Sequence, residues 1–301
     1  MMKADVIKLL LNDAGYRFSL TSCVRDFSNP GIPMNSTEKT QAFKEYIASK
    51  GSMLISYSGG VDSALLAILA TEVLGNNARC ILLDSPLVPR SAIAEARQIA
   101  RDHHLTLEII PVHVMDNERF VKNPAERCYW CKKSSAEVLK QRKEELHFAC
   151  IADGINVSDK SEHRPGLLAS TEEGICHPFL EAGITKADIR DIAHAAGLRF
   201  WNKPSAACLS SRIPYGDVIT EEKLAMIEKA EEFLHSHGFS QCRVRMHGGI
   251  ARIEIDNNDL PKLLALQEKL AKTFRTIGFT YVTLDLEGYR SGSMDEVLTT
   301  G

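Results

Sequence analysis

The sequence lacks several features that would define other classes of protein. No apolar run approaches the length of a membrane span. Residues 1–15 mix acids and lysines into their apolar positions, which is typical of a short helix and not of a secretion signal. The net charge of −3 provides no general attraction for nucleic acid. We therefore expect a cytoplasmic protein with neither a membrane nor a nucleic-acid partner.

Cysteine is too sparse for a disulfide scaffold, since 301 residues contain only eight. We expect these thiols to lie in a reducing compartment, where grouped cysteines bind metals or take part in catalysis. The sequence has no internal repeat and no low-complexity tract, and its hydrophobic content of 44% is ordinary for a globular chain. The length predicts two domains.

Two common phosphate-binding motifs are missing, because neither Gly-Lys-Ser/Thr nor Gly-x-Gly-x-x-Gly occurs. A different glycine loop lies between a strand-like stretch and a helix pattern: Ser58-Gly59-Gly60-Val61-Asp62-Ser63. Glycines let the backbone approach a ligand, and the first N–H groups of a helix have no partners. The loop therefore predicts a phosphate site, with Asp62 better suited to magnesium than to phosphate. A glycine turn that binds no ligand is the alternative.

The middle of the chain alternates strand and helix patterns. Apolar strand-like runs occupy residues 52–57, 79–83, 106–112 and 148–152, with helix patterns between them. This order predicts an α/β fold whose parallel sheet is doubly wound, with helices on both faces.

The C-terminal part has a different order, αββαβ, which predicts a smaller α+β domain. Its patterns lie at 221–237, 243–246, 251–255, 260–276 and 281–286. We expect four regions in the chain: an N-terminal extension (1–37) with a helix pattern at 4–12, a phosphate-binding domain (38–204), a functional loop and hinge (205–216), and a domain for substrate binding or oligomerisation (217–301).

Several acidic residues stand where a strand pattern gives way to a loop. The ligand site of a parallel sheet lies at the carboxyl ends of its strands, so we expect Ser58, Asp84 and Asp153 to meet in one crevice. The segment from Asp153 and Gly154 to Asp159 presents acidic and amide oxygens that suit magnesium or a ribose. An Asx turn before a helix is the alternative.

Three cysteines form a second candidate site. Cys128 and Cys131 form a C-x-x-C pair at the start of a helix pattern, and Cys208 lies in a later polar loop. The helix N-terminus and the basic residues beside the pair favour thiolates, which bind soft metals. A 4Fe-4S cluster with three cysteine ligands leaves one iron open for chemistry, whereas structural zinc normally has four protein ligands. A redox disulfide, a zinc site completed by His177 and buried thiols without function are the alternatives.

The other cysteines are solitary in sequence. Cys80, Cys150 and Cys242 lie in or beside strand patterns, so we expect them in the core. Cys23 and Cys176 receive no role.

Arginines of the C-terminal region suit phosphate and carboxylate groups, because a guanidinium binds both in a bidentate manner. Arg243 and Arg245 alternate along one strand pattern, and Arg290 follows the last strand. Solvated charges on a strand surface are the alternative.

Beyond the glycine loop, three segments carry a resemblance to a known family. They are Arg127-Cys128-Tyr129-x-Cys131-Lys132, Ala207-Cys208-Leu209-Ser210-Ser211-Arg212-Ile213-Pro214-Tyr215-Gly216 and Gly288-Tyr289-Arg290-Ser291-Gly292-Ser293. From about residue 38 to its end, the chain resembles the LarE family of ATP-dependent sulfur transferases, which belongs to the PP-loop ATP pyrophosphatases. This family makes the thiocarboxylates of the nickel-pincer nucleotide cofactor.

The resemblance implies a PP-loop sheet, similar to that of the adenine nucleotide alpha hydrolases, and an enzyme that uses ATP and Mg²⁺. A carboxylate of pyridinium-3,5-biscarboxylic acid mononucleotide is adenylated, pyrophosphate leaves, and sulfur then displaces AMP. The implied ATP site comprises Ser58, Gly59, Gly60, Val61, Asp62, Ser63, Asp84, Asp153 and Gly154. Mg²⁺ is expected near Asp62 or Asp159, and the substrate near Arg212, Arg243, Arg245 and Arg290.

In some members of the family the cysteine that matches Cys208 gives up its own sulfur and becomes dehydroalanine. In others three cysteines hold a 4Fe-4S cluster and transfer sulfur from it. Since Cys128, Cys131 and Cys208 are all present, the resemblance favours the cluster form, with these three as catalytic residues. The family also forms homo-oligomers. A tRNA-thiolating enzyme and a non-catalytic protein that responds to ATP are the alternative functions, and an amidotransferase-type synthetase would leave the cysteines without a role.

Overall fold

The computed structural model describes residues 36–161, 165–204, 207–290, 292–294 and 296 of the chain. The helix predicted at 4–12, together with Cys23, Ala206 and Ser291, lies outside these residues. In the described ranges no helix combines the length and the apolar character that crossing a membrane requires.

Within the described residues, seven strands form two sheets. In chain order they are β1 (Met53–Ser56), β2 (Ala78–Asp84), β3 (Leu107–Pro111), β4 (Cys150–Ala152), β5 (Cys242–His247), β6 (Ile250–Ile255) and β7 (Tyr281–Leu284). The α-helices of the same ranges are α1 (Ser36–Ser49), α2 (Val61–Leu74), α3 (Arg90–Asp102), α4 (Glu118–Val121), α5 (Arg127–Glu145), α6 (Pro165–Glu172), α7 (Pro178–Glu181), α8 (Lys186–Ala195), α9 (Glu221–Ser236), α10 (Leu260–Ala265) and α11 (Gln267–Ile277).

The central sheet is parallel, as the alternation of strand and helix patterns predicted. Its strand order is β3-β2-β1-β4, and Met53 of β1 lies between Ala78 and Cys150 of the neighbouring strands. Met53, Leu54 and Ile55 are all fully buried, which is typical of a parallel strand that is covered on both faces. Met53 and Ile55 pack with α1, α2, α3 and α8, whereas Leu54 packs with α5 on the other face. The predicted doubly wound α/β class is confirmed.

The smaller C-terminal domain contains a three-stranded sheet in the order β5-β6-β7. Strands β5 and β6 are antiparallel and join at Gly248-Gly249, while β6 and β7 are parallel. Helices α9 and α11 cover this sheet, and Leu234, Phe239 and Phe274 are fully buried in its core. The predicted αββαβ order is therefore confirmed.

Two predicted C-terminal elements differ from the structure. The helix pattern at 260–276 is two helices, α10 and α11, which meet at Leu266, where a φ of −102° and a ψ of 5° interrupt the helix. The last strand ends at Leu284, because the Asp285 carboxylate accepts the N–H of Glu287 at 2.9 Å and starts a turn. Polar side chains that bond to their own backbone end regular elements in this way.

The segment that follows residue 206, predicted as loop and hinge, is hydrogen-bonded to the phosphate-binding part of the chain. Leu209 donates its N–H to the carbonyl of Leu87 at 2.9 Å, and Gly216 donates to the carbonyl of Asn123 at 2.9 Å. The predicted domain boundaries stay predictions.

Asn123 anchors this segment. It is fully buried and has a φ of +53°, a conformation that asparagine tolerates better than most residues. Its Nδ2 donates to the carbonyls of Pro214 at 2.6 Å and Asp217 at 3.1 Å, and its Oδ1 accepts from Arg127 of α5 at 2.9 Å. One side chain thus connects the start of α5 to the segment that carries Cys208.

We predict that Asn123→Ala destabilises the protein by about 2–4 kcal/mol, because several buried carbonyls and one guanidinium lose their partner. Unfolding in denaturant measures the change. Asn258→Ala is the matched control, since among the described residues the exposed Asn258 side chain has one hydrogen bond, to Asp256. Its cost is expected to stay within about 0.5 kcal/mol. Equal losses in the two variants would contradict the anchoring role of Asn123.

Candidate active site

The glycine loop connects β1 to α2 at the carboxyl edge of the sheet. Gly59 has a φ of +71°, and a Cβ there would lie 2.5 Å from Cβ of Ala96. Gly60 has a φ of −75° and offers no side chain to cap α2, so only the first glycine needs a positive φ. The N–H of Ser58 donates to the Ser63 hydroxyl at 3.1 Å, and the two hydroxyls are 3.0 Å apart. The loop is therefore closed on itself, with the uncapped helix N-terminus beside it.

The loop after β4 packs directly on this N-terminus. A Cβ on Gly154 would lie 2.9 Å from the backbone nitrogen of Ser63 and 3.0 Å from Cβ of Asp62. The loops after β1 and β4 therefore meet in a backbone contact, and the expectation that Ser58, Asp84 and Asp153 share one crevice stays a prediction.

Two lysines that the sequence analysis missed reach the glycine loop. Lys186, the first residue of α8, places its ammonium 2.6 Å from both carboxylate oxygens of Asp62. Lys203 donates to the carbonyl of Gly59 at 3.1 Å and lies 2.8 Å from a Glu95 oxygen. Both are more than 120 residues from their partners in the loop, and no local motif identifies them. They bring positive charge to a site predicted to hold phosphates.

The predicted acidic residues have partners within the protein. The Asp84 carboxylate is 2.6 Å from a guanidinium nitrogen of Arg90. Asp159 accepts the N–H of Asn156 at 2.9 Å. The contacts expected for the Asx-turn alternative are made by Asp153 and Asn156, whose Oδ1 atoms accept the N–H two residues later at 3.2 and 3.0 Å. The predictions that Asp84 contacts ATP and that Asp159 binds Mg²⁺ stay predictions.

Asp153 lies buried between two cationic or potentially cationic groups. Its oxygens are 3.2 Å from Nζ of Lys132 and 2.8 Å from Nδ1 of His177. Burial alone would raise the pKa of this carboxyl, but Lys132 and His177 hold it below its usual value. The Nε2 atom of His177 is 3.2 Å from the Thr171 hydroxyl, so both ring nitrogens have hydrogen-bond partners in the structure.

The three predicted cysteines lie together where α5 begins. Cys128 and Cys131 are one turn apart on α5, and Cys208 precedes the 3₁₀ turn Leu209–Arg212. Cys131 and Cys208 both pack against the core of the C-terminal domain. Burial, followed by the charges of Cys208 and Cys128, raises the pKa of the Cys131 thiol to about 12. Cys131 is thus near enough to the other two thiols to respond to their charges.

The prediction that Cys131 is a thiolate is wrong for the protein without a bound metal, because the raised pKa keeps the thiol protonated. The basic residues beside Cys131 are ion-paired with carboxylates. Lys132 binds Asp153, and Lys133 lies 2.8 Å from Glu172 and 2.5 Å from Glu173. Burial of the thiol therefore outweighs the remaining attraction.

The cysteine set fits the predicted cluster in its chemistry. In the described residues no three His, Cys, Asp or Glu side chains are arranged to hold a single metal ion. The cysteines of an iron–sulfur cluster bind separate irons, so they need not converge on one point. Cys131 and Cys208 are half-buried against apolar side chains, and Cys128 is exposed. Three soft sulfurs suit an iron–sulfur cluster better than a hard cation.

Two of the predicted substrate-binding arginines instead hold the Cys208 segment in place. Arg212 is buried against Glu231, with Nε and Nη2 at 2.9 and 3.0 Å from its oxygens, and Nη1 donates to the Cys208 carbonyl at 3.0 Å. Arg245 is buried against Glu254 at 2.8 Å and donates to the Ser211 carbonyl at 3.1 Å. The structure therefore gives both a positioning role that the sequence did not reveal.

Arg243 is the best placed of the four arginines for an anionic ligand. Burial, together with the charges of Arg212 and Arg245, lowers its pKa. Its guanidinium donates to the Cys242 carbonyl at 2.7 Å and lies 5.3 Å from the ring centre of Tyr289. Arg243 has no carboxylate partner within the part of the chain that the structure describes. Arg290, by contrast, is ion-paired with Glu287 and Glu296.

The loop, the uncapped helix and the parallel sheet define a nucleotide-binding α/β protein of the PP-loop class. A family model described as NAD synthase matches residues 36–144. The chain is 33% identical to pyridinium-3,5-bisthiocarboxylic acid mononucleotide synthase of Lactiplantibacillus plantarum, over 81% of this chain and 89% of that protein. It is 39% identical to an uncharacterised protein of Synechocystis sp. over 87% of this chain and 98% of that protein, and 36% identical to one of Methanocaldococcus jannaschii over 82% and 94%. The chain belongs to the family of the mononucleotide synthase, the LarE family, which confirms the resemblance.

We predict that the two adjacent glycines of the loop differ in their tolerance of alanine. Gly59→Ala should cost about 2 kcal/mol or more, because a positive φ is strained for alanine and the added Cβ meets Ala96. Gly60→Ala should cost less than about 1 kcal/mol, because the nearest atom to its Cβ is the Ser58 hydroxyl at 3.4 Å. Unfolding in denaturant measures both, and a Gly60→Ala loss as large as that of Gly59→Ala would contradict this loop geometry.

Proposed function

We propose that this protein is an ATP-dependent sulfur transferase of nickel-pincer cofactor biosynthesis. It adenylates carboxylates of pyridinium-3,5-biscarboxylic acid mononucleotide and converts them to thiocarboxylates. Membership of the synthase family supports this proposal. The single observation that carries it is the physical link between the glycine loop and the cysteines. Gly154 packs on the first turn of α2, and its neighbour Asp153 binds Lys132, which follows Cys131.

We assign the pyrophosphate end of ATP to the first turn of α2. The N–H groups of Val61, Asp62 and Ser63 belong to a helix end without a side-chain cap, and such groups bind anions. The ammonium groups of Lys186 and Lys203 lie beside this turn. Mg²⁺ would be held at the half-buried Asp62 carboxylate in place of the Lys186 ammonium, which would then turn to the phosphates.

In the proposed first step a carboxylate oxygen of the substrate attacks the α-phosphorus of ATP. The bond from this phosphorus to the bridging oxygen breaks, and pyrophosphate leaves with the electron pair. In the second step a sulfur nucleophile attacks the acyl carbon, and AMP leaves. The protein contributes chiefly by holding the reactants in position and by balancing negative charge. Arg243, which forms no ion pair with a carboxylate among the described residues, binds the phosphate or a carboxylate of the mononucleotide.

The sulfur comes from the site of the three cysteines. A 4Fe-4S cluster held by Cys128, Cys131 and Cys208 would supply an open iron that accepts sulfide. Arg212 and Arg245 hold the backbone around Cys208 through its own carbonyl and that of Ser211. Asn123 fixes the far end of the same segment to α5, so the protein keeps the third sulfur close to the other two.

The partners and location follow from the same proposal. We propose a nucleotide substrate, a homo-oligomeric protein and a cytoplasmic location, without a nucleic-acid partner. The exposed apolar side chains Leu264, Tyr281 and Leu286 on the C-terminal domain support self-association.

We predict that Cys208→Ala separates the two steps. Substrate-dependent pyrophosphate release should persist, because the ATP site contains no part of Cys208, whereas thiocarboxylate formation should fall below detection. Pyrophosphate is measured by a coupled assay and the mononucleotide product by mass spectrometry.

Arg243→Gln should raise the substrate KM about tenfold or more, since a charge-assisted bond is lost.

Three outcomes would contradict the proposal. Pyrophosphate release that requires tRNA and does not increase when the mononucleotide is added would point to a tRNA-thiolating enzyme. No release with either acceptor would point to a protein that binds ATP without chemistry. Thiocarboxylate made by Cys208→Ala at the wild-type rate would remove this cysteine from the sulfur path.

A further inference from the structure

A buried chain of polar side chains connects the loop after β4 to the start of α5. His177 places Nδ1 2.8 Å from one oxygen of Asp153, and the other oxygen of this carboxylate lies 3.2 Å from Nζ of Lys132. The side chains of His177 and Asp153 are only 8% and 5% exposed, whereas that of Lys132 is 25% exposed. The chain therefore begins inside the protein and ends in an ammonium that a ligand can reach.

The register of the backbone places His177 beside Asp153. Cys176 forms a parallel bridge with Ala152, the last residue of β4. His177 and Asp153 are the next residues on the two segments, and the Asp153 N–H donates to the Cys176 carbonyl at 3.1 Å. Paired segments of this kind lie about 4.8 Å apart, which brings the imidazole within reach of the carboxylate.

Both oxygens of the Asp153 carboxylate are bonded to groups of the protein. Oδ1 contacts the His177 ring and accepts the N–H of Ile155 at 3.2 Å, and Oδ2 accepts from Lys132. A carboxylate can only accept, so Nδ1 is the donor of the imidazole contact. Because a buried carboxylate needs such donors, we infer that Asp153 influences the site through Lys132.

Lys132 joins the two parts of the proposed active site. It follows Cys131 on α5, while Asp153 precedes Gly154, whose backbone packs on the first turn of α2. Among the described residues, the ion pair with Asp153 is the one that Lys132 forms. A free lysine side chain has many rotamers, and this ion pair selects one that keeps the ammonium between the phosphate-binding turn and the cysteines.

We propose that His177 is a positioning residue for adenylation, an inference that rests on the proposed function. His177 orients the carboxylate of Asp153, which in turn holds the ammonium of Lys132. The ammonium stabilises the negative charge that develops when the substrate attacks the α-phosphorus. His177 itself contacts neither substrate nor sulfur. Its Nδ1 carries this role, because Nε2 instead lies 3.2 Å from the Thr171 hydroxyl on α6.

Two amide substitutions separate the roles of the ring nitrogens. The amide nitrogen of asparagine lies near the position of Nδ1 and that of glutamine near Nε2, so His177→Asn keeps the bond to Asp153 and His177→Gln keeps only the contact with Thr171. His177→Gln should lower kcat of substrate-dependent pyrophosphate release about tenfold, and His177→Asn should stay within about threefold of wild type. Equal kcat values for the two variants would overturn the proposal.

A second measurement follows Lys132 without requiring activity. The full chain reacts with the N-hydroxysuccinimide ester of acetic acid, and peptide mapping by mass spectrometry gives the acetylation rate of each lysine. An ammonium bound to a buried carboxylate must first break that bond, so His177→Gln should acetylate Lys132 about threefold faster or more, and His177→Asn at the wild-type rate. Lys133, which is paired with Glu172 and Glu173, is the internal control. An unchanged Lys132 rate in His177→Gln would overturn the proposal.

A double-mutant cycle tests whether His177 acts through Lys132. In the Lys132→Met background, His177→Gln should lower kcat less than about twofold further, since the group that it positions is already absent. A further tenfold loss would show that His177 acts by another route and would overturn the proposal.

The two measurements also separate this inference from the proposed function. A wild type that releases no pyrophosphate, together with the expected change in Lys132 acetylation, would contradict the sulfur transferase and leave the positioning of Lys132 by His177 intact. Thermal unfolding checks that each variant is folded. If His177→Gln is not, His177→Leu takes its place with the same expected results.

Discussion

The close contact between Gly154 and the first turn of α2 is the constraint on which the site depends. Any side chain at this position would meet the Ser63 nitrogen and Cβ of Asp62. The contact fixes the loop after β4 against the glycine loop, and the adjacent Asp153 reaches Lys132 on α5. Two loops and one helix that are far apart in sequence are thereby held as one unit at the carboxyl edge of the sheet.

The same principle operates at the third cysteine. Cys208 lies on a segment without regular strand or α-helix, so its position relative to α5 depends on side chains that bind its backbone. Asn123 holds one end of the segment, and Arg212 and Arg245 hold the other, each through a buried ion pair with a glutamate. Buried ion pairs contribute little net stability but define one geometry. Fixed geometry is what three ligands of one cluster require.

Periodicity and glycine chemistry predicted the fold well. The alternation of apolar strands and helices predicted the parallel sheet, and a helix, α2 (Val61–Leu74), begins within the glycine loop as its pattern predicted. The break at Leu266 escaped prediction because no glycine or proline marks it. Cys128 and Cys131 were identified by their C-x-x-C motif, and Cys208 was grouped with them although their contact is tertiary and no local spacing encodes it.

The roles of individual charged residues were much harder to predict. Arg212 and Arg245 look like ligands for an anion in sequence, yet their partners are Glu231 and Glu254, 19 and 9 residues away. Lys186 lies 124 residues from Asp62, and no pattern connects them. Burial and long-range pairing decide whether a guanidinium faces a ligand or the protein, and neither is encoded in local spacing.

The central claim is that Cys128, Cys131 and Cys208 together hold one iron–sulfur cluster. Iron and acid-labile sulfide per chain, measured after anaerobic purification and reconstitution, test it most directly. The account predicts about four of each in the wild type and in the control Cys176→Ala, and a loss of both in Cys208→Ala. Wild-type protein that binds neither element, or Cys208→Ala that retains both in full, would contradict it.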